Sequence, residues 1–308
     1  MSGREVTRYV DGAMYEAEPI DADALAAPRV HLLSATPDPL GAVAAASMMY
    51  EGRVVRDLAE ITDDERRHYY DQAFKTTLKA PLEFIDFHFM VEGVTRAHSH
   101  QEVRQRTAVF AQESMRFAVK EQIAARPGPL ISATKSHKRA WEQAVEVVWQ
   151  TYQYLIAQGV PAEEARGLLP HDTLTRLHHK VNLRNLMDEL GKRTCTQAQF
   201  DWRLWAAAVR EAIYNYSGPM TTVSEVYVQG EYDGLDPKYN NRWQFRYIAE
   251  SPIFRPICFN TGHCMFKAQM DRGCRIRARV EEGKFDEIKT EEWAADPTAA
   301  WVRPEPQS

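Results

Sequence analysis

The stretch LEFIDFHFMVEGVTRAHSHQEVRQRTAVFAQESMRF, residues 82–117, changes its hydrophobic period partway along. Ile85, Phe87, Phe89 and Val91 fall on alternate positions, which predicts a strand with one apolar face, ended by Gly93. A helix through residues 95–106 is predicted to follow. Gln101, Arg104, Gln105, Arg106, Gln112, Ser114 and Arg116 then crowd into sixteen positions. The planar fork of arginine holds phosphate or carboxylate in two-point contact, so this run reads either as an anion site or as a solvated, charged helix face.

Upstream, RVHLLSAT (29–36) predicts a short strand closed by Pro37 and Pro39, with Asp38 capping a helix that runs to Tyr50. Thr62 caps a second helix over 62–78, whose first turn is acidic, as the helix dipole favours. Downstream, Trp141, Ala144, Val148, Thr151 and Leu155 recur at three- and four-residue steps in a long helix that Gly159 terminates. A short helix opens at Pro161, and further helices fit Thr173–Leu190 and Gln197–Tyr214. Residues 1–28 read as a polar N-terminal arm, 29–295 as one folded domain with no firm assignment beyond about 216, and 296–308 as a loose tail.

The chain has 308 residues, 44% hydrophobic and 26% charged, with a net charge of −5, proportions that exclude a disordered or collagenous protein. No apolar run reaches the roughly 18–20 residues of a membrane span, and the polar N-terminus is unlike a signal peptide, so a cytoplasmic protein without a membrane is expected. A mildly acidic chain with no long block of one sign is not built to coat nucleic acid.

Cys195, Cys258, Cys264 and Cys274 are too few for a disulfide scaffold. Three of them lie near His263 in PICFNTGHCMFKAQMDRGC, but the Cys-x5-Cys-x9-Cys spacing lacks the close pairs of common zinc sites. No metal is assigned, and the thiols read as buried or idle. In VNLRNLMDELGKRTCTQAQF (181–200), Leu183, Leu186, Met187 and Leu190 form the apolar stripe of a helix. Asn182 and Arg184 lie off it and either face solvent or reach a ligand.

Arg104-Gln105-Arg106, seven residues and then Ser114 resembles the signature of the flavin-dependent thymidylate synthases, usually Arg-His-Arg-x7-Ser. The surrounding residues 82–117, VNLRNLMDELGKRTCTQAQFDWR, GVPAEEARGLLP and the RVHLLSATPDP opening resemble the same family in order, over roughly 29–215. The resemblance implies a homotetrameric α/β (α+β) enzyme with a central, mostly antiparallel sheet flanked by long helices. It would move a one-carbon unit from methylenetetrahydrofolate to C5 of dUMP, with hydride from FAD reduced by NADPH. No cysteine nucleophile is implied, so Cys195 is not nominated. By resemblance, Ser114 and Arg116 match the dUMP loop, with Gln101 and Gln112 as further contacts. Arg166 matches a phosphate-holding arginine from another segment, one that the family draws from another subunit. Arg193 matches the arginine against the pyrimidine carbonyl and is the leading catalytic candidate. Arg104, Gln105 and Arg106 match the flavin contacts of the signature, and Asn182, Arg184 and Asp188 match the later FAD segment.

Three positions depart from the pattern. Gln105 replaces the signature histidine and cannot become cationic. Phe84 stands where many members have histidine in Leu-Glu-His, and Asp188 replaces the usual His or Asn and brings negative charge toward the flavin. These changes surround the cofactors more than the nucleotide. They motivate an alternative in which water adds to the methylene intermediate, giving a 5-hydroxymethyl nucleotide of the kind used in modified viral DNA. A second alternative is a nucleotide- or RNA-binding module without redox activity, suggested by the basic run from Arg96 to Arg116 with Phe110 and Phe117. His98, His100, His178 and His179 read as packing or surface residues.

Overall fold

The structure is a computed structural model that describes residues 27–120, 123–217, 241–265, 274 and 276–288, and the backbone alone of 7–9 and 12–16. Its centre is an antiparallel sheet of order β3-β4-β7-β5, made of Arg29–Ala35, Asp86–Thr95, Leu174–Asn182 and Val109–Gln112. The short strands β1 (Thr7–Tyr9) and β2 (Gly12–Glu16) pair with each other, and β2 runs parallel to β6 (Ala118–Val119). The N-terminal arm therefore carries strand structure of its own.

The alternation read from residues 85–91 is the sheet's inner face. Phe87, Phe89 and Val91 of β4 stand opposite Val181, His179 and Leu177 of β7, and Phe110 of β5 falls opposite His179. These apolar residues are buried or half-buried against the helices. The strand does not end at Gly93. It continues to Thr95 through an irregularity between Glu92 and Val94, where Gly93 takes φ 71°. A glycine adopts that left-handed conformation without the Cβ clash other residues meet, so it bends the strand rather than stopping it.

Helix α1 (Pro39–Tyr50) starts as expected at Asp38, whose carboxylate accepts from the Gly41 amide at 3.0 Å. The same carboxylate pairs with Arg66 of α2 (Asp63–Lys75) at 2.7 Å and accepts from Gln244 of the C-terminal region at 2.8 Å. Thr62 and Glu65 close a capping box at the start of α2. The helix expected over 95–106 is shorter: α3 spans Arg96–Glu102, and a turn follows. After a short α4 (Pro129–Ser132), the long helix α5 covers Lys135–Ala157, and Gly159 follows with φ 82°. Its inward residues are Trp141, Val145, Val148, Trp149, Tyr152 and Leu155, whereas Ala144 and Thr151 of the expected stripe are exposed.

The helix expected over Thr173–Leu190 is corrected. A short α6 (Ala162–Ala165) leads to strand β7, and only at Leu183 does helix α7 (Leu183–Arg193) begin, capped by Asn182. Leu174, Leu177 and Val181 fit a helical spacing, but Leu177, His179 and Val181 also alternate, and pairing with β4 along the whole strand decides for the second period. Helix α8 (Phe200–Asn215) packs on β3, and α9 (Arg242–Glu250) packs on α8. The tail at 296–308 lies outside the described residues, and no helix among them is long and apolar enough to cross a membrane.

Candidate active site

Two abrupt strand-to-helix changes place the polar residues. Thr95 ends β4 and caps α3 by accepting from the His98 amide at 3.2 Å, while Asn182 ends β7 and caps α7 by accepting from the Asn185 amide at 2.9 Å. Because β4 and β7 are antiparallel, the two helices leave from opposite ends of the sheet, and both contribute carboxylates that meet His179 on its inner face. Their C-terminal ends meet at Gln101 and Arg193. Arg193 donates to the side-chain oxygen of Gln101, Oε1, at 3.3 Å, and Trp202 Nε1 donates to the same oxygen at 3.1 Å. The guanidinium lies 4.0 Å above the Trp202 ring, a cation–π contact that fixes its plane. Gln101 in turn donates to Gln199 at 2.6 Å.

Gln101 and Arg193 form part of the wall of a cavity of about 480 Å³, a volume suited to a small heterocyclic ligand. The opposite wall comes from the C-terminal region, with Ile257, Met265 and Ile276. Cys195, Cys258, Cys264 and Cys274 all line it too. Burial, reinforced by the other three thiols, pushes the Cys258 thiol up to about 12 and the Cys195 thiol in the same direction. Among the described residues no three Cys, His, Asp or Glu side chains stand so as to hold a metal ion.

A second group of site residues is cationic. Arg116 donates through Nε and Nη2 to one oxygen of Glu163, at 2.9 and 2.6 Å, and Arg166 Nε donates to the Glu163 carbonyl at 3.1 Å. Glu163 thus takes bonds from both arginines, its carboxylate from Arg116 and its backbone carbonyl from Arg166. Burial and then the charge of Arg166 lower the Arg96 pKa, and burial, Arg96, His171 and Arg104 lower that of His100. Ser114 accepts from the Arg116 amide at 3.3 Å, which shapes the loop. Gln112 points inward, donating to Ser99 at 2.8 Å.

The third group lies around the turn at 103–108. Arg104 and Arg106 are exposed there; the Arg104 amide donates to the Gln101 backbone carbonyl at 3.3 Å, and neither guanidinium makes a hydrogen bond or ion pair among the described residues. Gln105 donates to Thr107 Oγ1 at 3.1 Å, and Asn185 donates to the Thr107 carbonyl at 3.3 Å, tying the turn to α7. Arg184 pairs with Glu83. Asp188 is exposed, as is Phe84. The oxygen of the Asn182 amide is committed to capping α7.

His98, Glu102, His179 and Glu189 form a buried cluster that the sequence pattern does not assemble. His98 and His179 are fully buried, and His100 and His178 are the exposed pair. The available signals are the i,i+4 spacing of His98 and Glu102, and a histidine alternating with Leu177 and Val181.

The family model described as thymidylate synthase complementing protein matches residues 31–216. A flavin-dependent thymidylate synthase of Geobacter sulfurreducens is 34% identical over 186 residues, 59% of this chain and 79% of that protein. One from Sulfurisphaera tokodaii is 32% identical over 216 residues, 67% of this chain and 84% of its own. The crystal structure of a UMP/dUMP methylase, PolB from Streptomyces cacaoi bound with 5-Br dUMP, aligns with TM-score 0.49 at 23% identity, over 60% of this chain and 89% of that one. The chain belongs to the flavin-dependent thymidylate synthase family. It is an enzyme.

Proposed function

We propose that this chain makes dTMP from dUMP, taking the one-carbon unit from methylenetetrahydrofolate and the hydride from FAD that NADPH has reduced. The observation that carries the reading is the pinned Gln101–Arg193 pair at the wall of a heterocycle-sized cavity, in a chain of this family. The uracil ring would lie with a carbonyl against Arg193, whose fixed positive charge stabilises the negative charge that develops on the ring as C5 becomes nucleophilic. Arg116 and Arg166 would hold the phosphate, with Arg116 exchanging Glu163 for the ligand. Gln112 and Ser114 shape the loop between the two groups.

The exposed forks of Arg104 and Arg106, unengaged among the described residues, fit an anionic diphosphate, so these residues, with Gln105 and the start of α7 from Asn182 to Asp188, would hold FAD. When bound, the flavin supplies the hydride. The protein orients nucleotide, folate and flavin against one another, a contribution by positioning rather than by a nucleophilic side chain. Self-association to a tetramer would cover the outer sheet face, where Leu33 and Val109 are exposed.

Gln105 and the exposed Phe84 favour a second reading, in which altered cofactor contacts let water complete the reaction and the product is a 5-hydroxymethyl nucleotide. One experiment addresses both. Anaerobic incubation of the protein with FAD, NADPH, methylenetetrahydrofolate and dUMP is analysed by mass spectrometry. A product at the mass of dTMP is expected, and one heavier by an oxygen establishes the second reading. Unchanged dUMP with a protein that binds no flavin overturns both.

A further inference from the structure

Beneath Gln101 and Arg193 lie four ionisable side chains with almost no contact with solvent. His98 Nε2 is 3.1 Å from one oxygen of Glu102, and His179 Nδ1 is 3.1 Å from the other. His179 Nε2 is 3.8 Å from Glu189. Relative exposures are 0% for the first three and 4% for Glu189. Aromatic rings pack against the two histidines. Phe110 lies 4.6 Å from the His179 ring, Trp205 6.0 Å from it, and Trp202 3.9 Å from His98. Burying such groups is costly, and apolar residues of similar size commonly stabilise a core as well or better, so the cluster calls for another account than packing.

Its connections supply one. Glu102 adjoins Gln101 in the chain, Glu189 lies one helical turn before Arg193, and Trp202 touches His98, Arg193 and Gln101 alike. We propose that His98, Glu102, His179 and Glu189 form a buried, proton-holding chain of positioning residues that orients Gln101 and sets the charge behind Arg193. This rests on the reading that Arg193 faces the pyrimidine.

The members hold their protons differently. Burial pushes the Glu102 carboxyl up, but the close approach of His179, the hydrogen bond with His98 and the charge of both rings outweigh it and hold it at about 2. Burial pulls His179 down, and Glu102 and Glu189 more than reverse this, so its pKa is raised. Glu189 faces His179 of β7, Glu102 of α3, and Arg193 and Lys192 of its own helix, and burial dominates, pushing it up to about 7. Glu189 thus changes charge near neutrality while Glu102 stays ionised. As the anion it draws the charge of Arg193 back into the protein. As the neutral acid it leaves that charge to the ligand, so a uracil nucleotide binds more tightly below pH 7 than above it.

The test measures the Kd of dUMP for the wild type and for Glu189→Gln from pH 6 to pH 8. The nucleotide phosphate also titrates near pH 6, but equally for both proteins. The ratio of wild-type to variant Kd is expected to rise about fivefold over that range, the lower end of ordinary coupling between sites. A ratio that stays constant overturns the proposal, since a merely structural role shifts affinity equally at every pH. A second readout needs no nucleotide. The infrared carbonyl band of a neutral carboxylic acid should be present in the ligand-free wild type at pH 6, fade with a midpoint near pH 7, and be missing from Glu189→Gln. Absence of that band in the wild type overturns the buried chain. A titrating band in a protein that binds no dUMP at any pH supports the chain and assigns the failure to the proposed function.

Discussion

Glu189→Gln should make the protein more stable at alkaline pH, although it removes a charged residue from a cluster of opposite charges. The Glu189 carboxyl is pushed from its ordinary value of 4.5 to about 7, mainly by burial. A carboxyl whose pKa is raised on folding is held protonated by the native state, so its contribution is complete below 4.5 and is lost as pH climbs to 7. Each pH unit between those two values is worth about 1.4 kcal/mol, so the native state is about 3 kcal/mol less stable at pH 8 than this residue would allow if it stayed neutral. Glutamine keeps the shape and stays neutral. The variant should therefore exceed the wild type by about 3 kcal/mol at pH 8 and by about 1 kcal/mol at pH 5. Urea unfolding at one protein concentration, repeated across this range, measures the gap, with concentration fixed because association adds its own stability. A variant less stable than the wild type at pH 8, or a gap that does not shrink toward pH 5, refutes the reasoning. Glu102 does not confuse the window, because its depressed pKa makes its contribution fade only as pH falls from 4.5 toward 2.

The remaining predictions concern single contacts. Arg116→Ala should weaken dUMP binding by about tenfold while leaving deoxyuridine unaffected, and Glu163→Gln should strengthen it by freeing Arg116, both measured by calorimetry. Trp202→Phe keeps a ring against Arg193 but deletes the donor to Gln101, and should lower kcat/KM for dUMP by about fivefold. Asp38→Ala removes the cap of α1, the half-buried pair with Arg66 and a bond from Gln244 together, and should cost about 4 kcal/mol, read as a lower midpoint in urea.

Local rules are legible where neighbours in sequence decide the structure. The capping box of Thr62 and Glu65, the Asp38 cap and the alternation from Ile85 to Val91 need nothing beyond a few residues, and the structure has each of them. What Asp38 does for Arg66 and Gln244 depends on chain segments far away and leaves no local trace. Strand β7 reads as helix because Leu174, Leu177 and Val181 stand at helical steps while Leu177, His179 and Val181 alternate, and only β4 chooses between the two periods. Gly93 has the same cause, since a bend and an end look alike until a partner strand continues. The meeting of Gln101 and Arg193 follows from family resemblance, not from spacing. The cavity's far wall, with Pro256, Ile257, Met265, Ile276 and Val280, comes from a part of the chain with no clear hydrophobic period.

The pairing of β4 with β7 brings His88 beside His178, 90 positions further along the chain, and Gln101 receives its bond from Trp202, 101 positions further on. Closing so long a loop is an entropic barrier met before any contact rewards it. During synthesis, a ribosome that has released only the first half of the chain has released the anion-seeking arginines without the tryptophan that orders the pocket. On the proposed reading, competence to bind the nucleotide therefore arrives late, and a ligand that recognises the finished pocket can act as a check on completed folding.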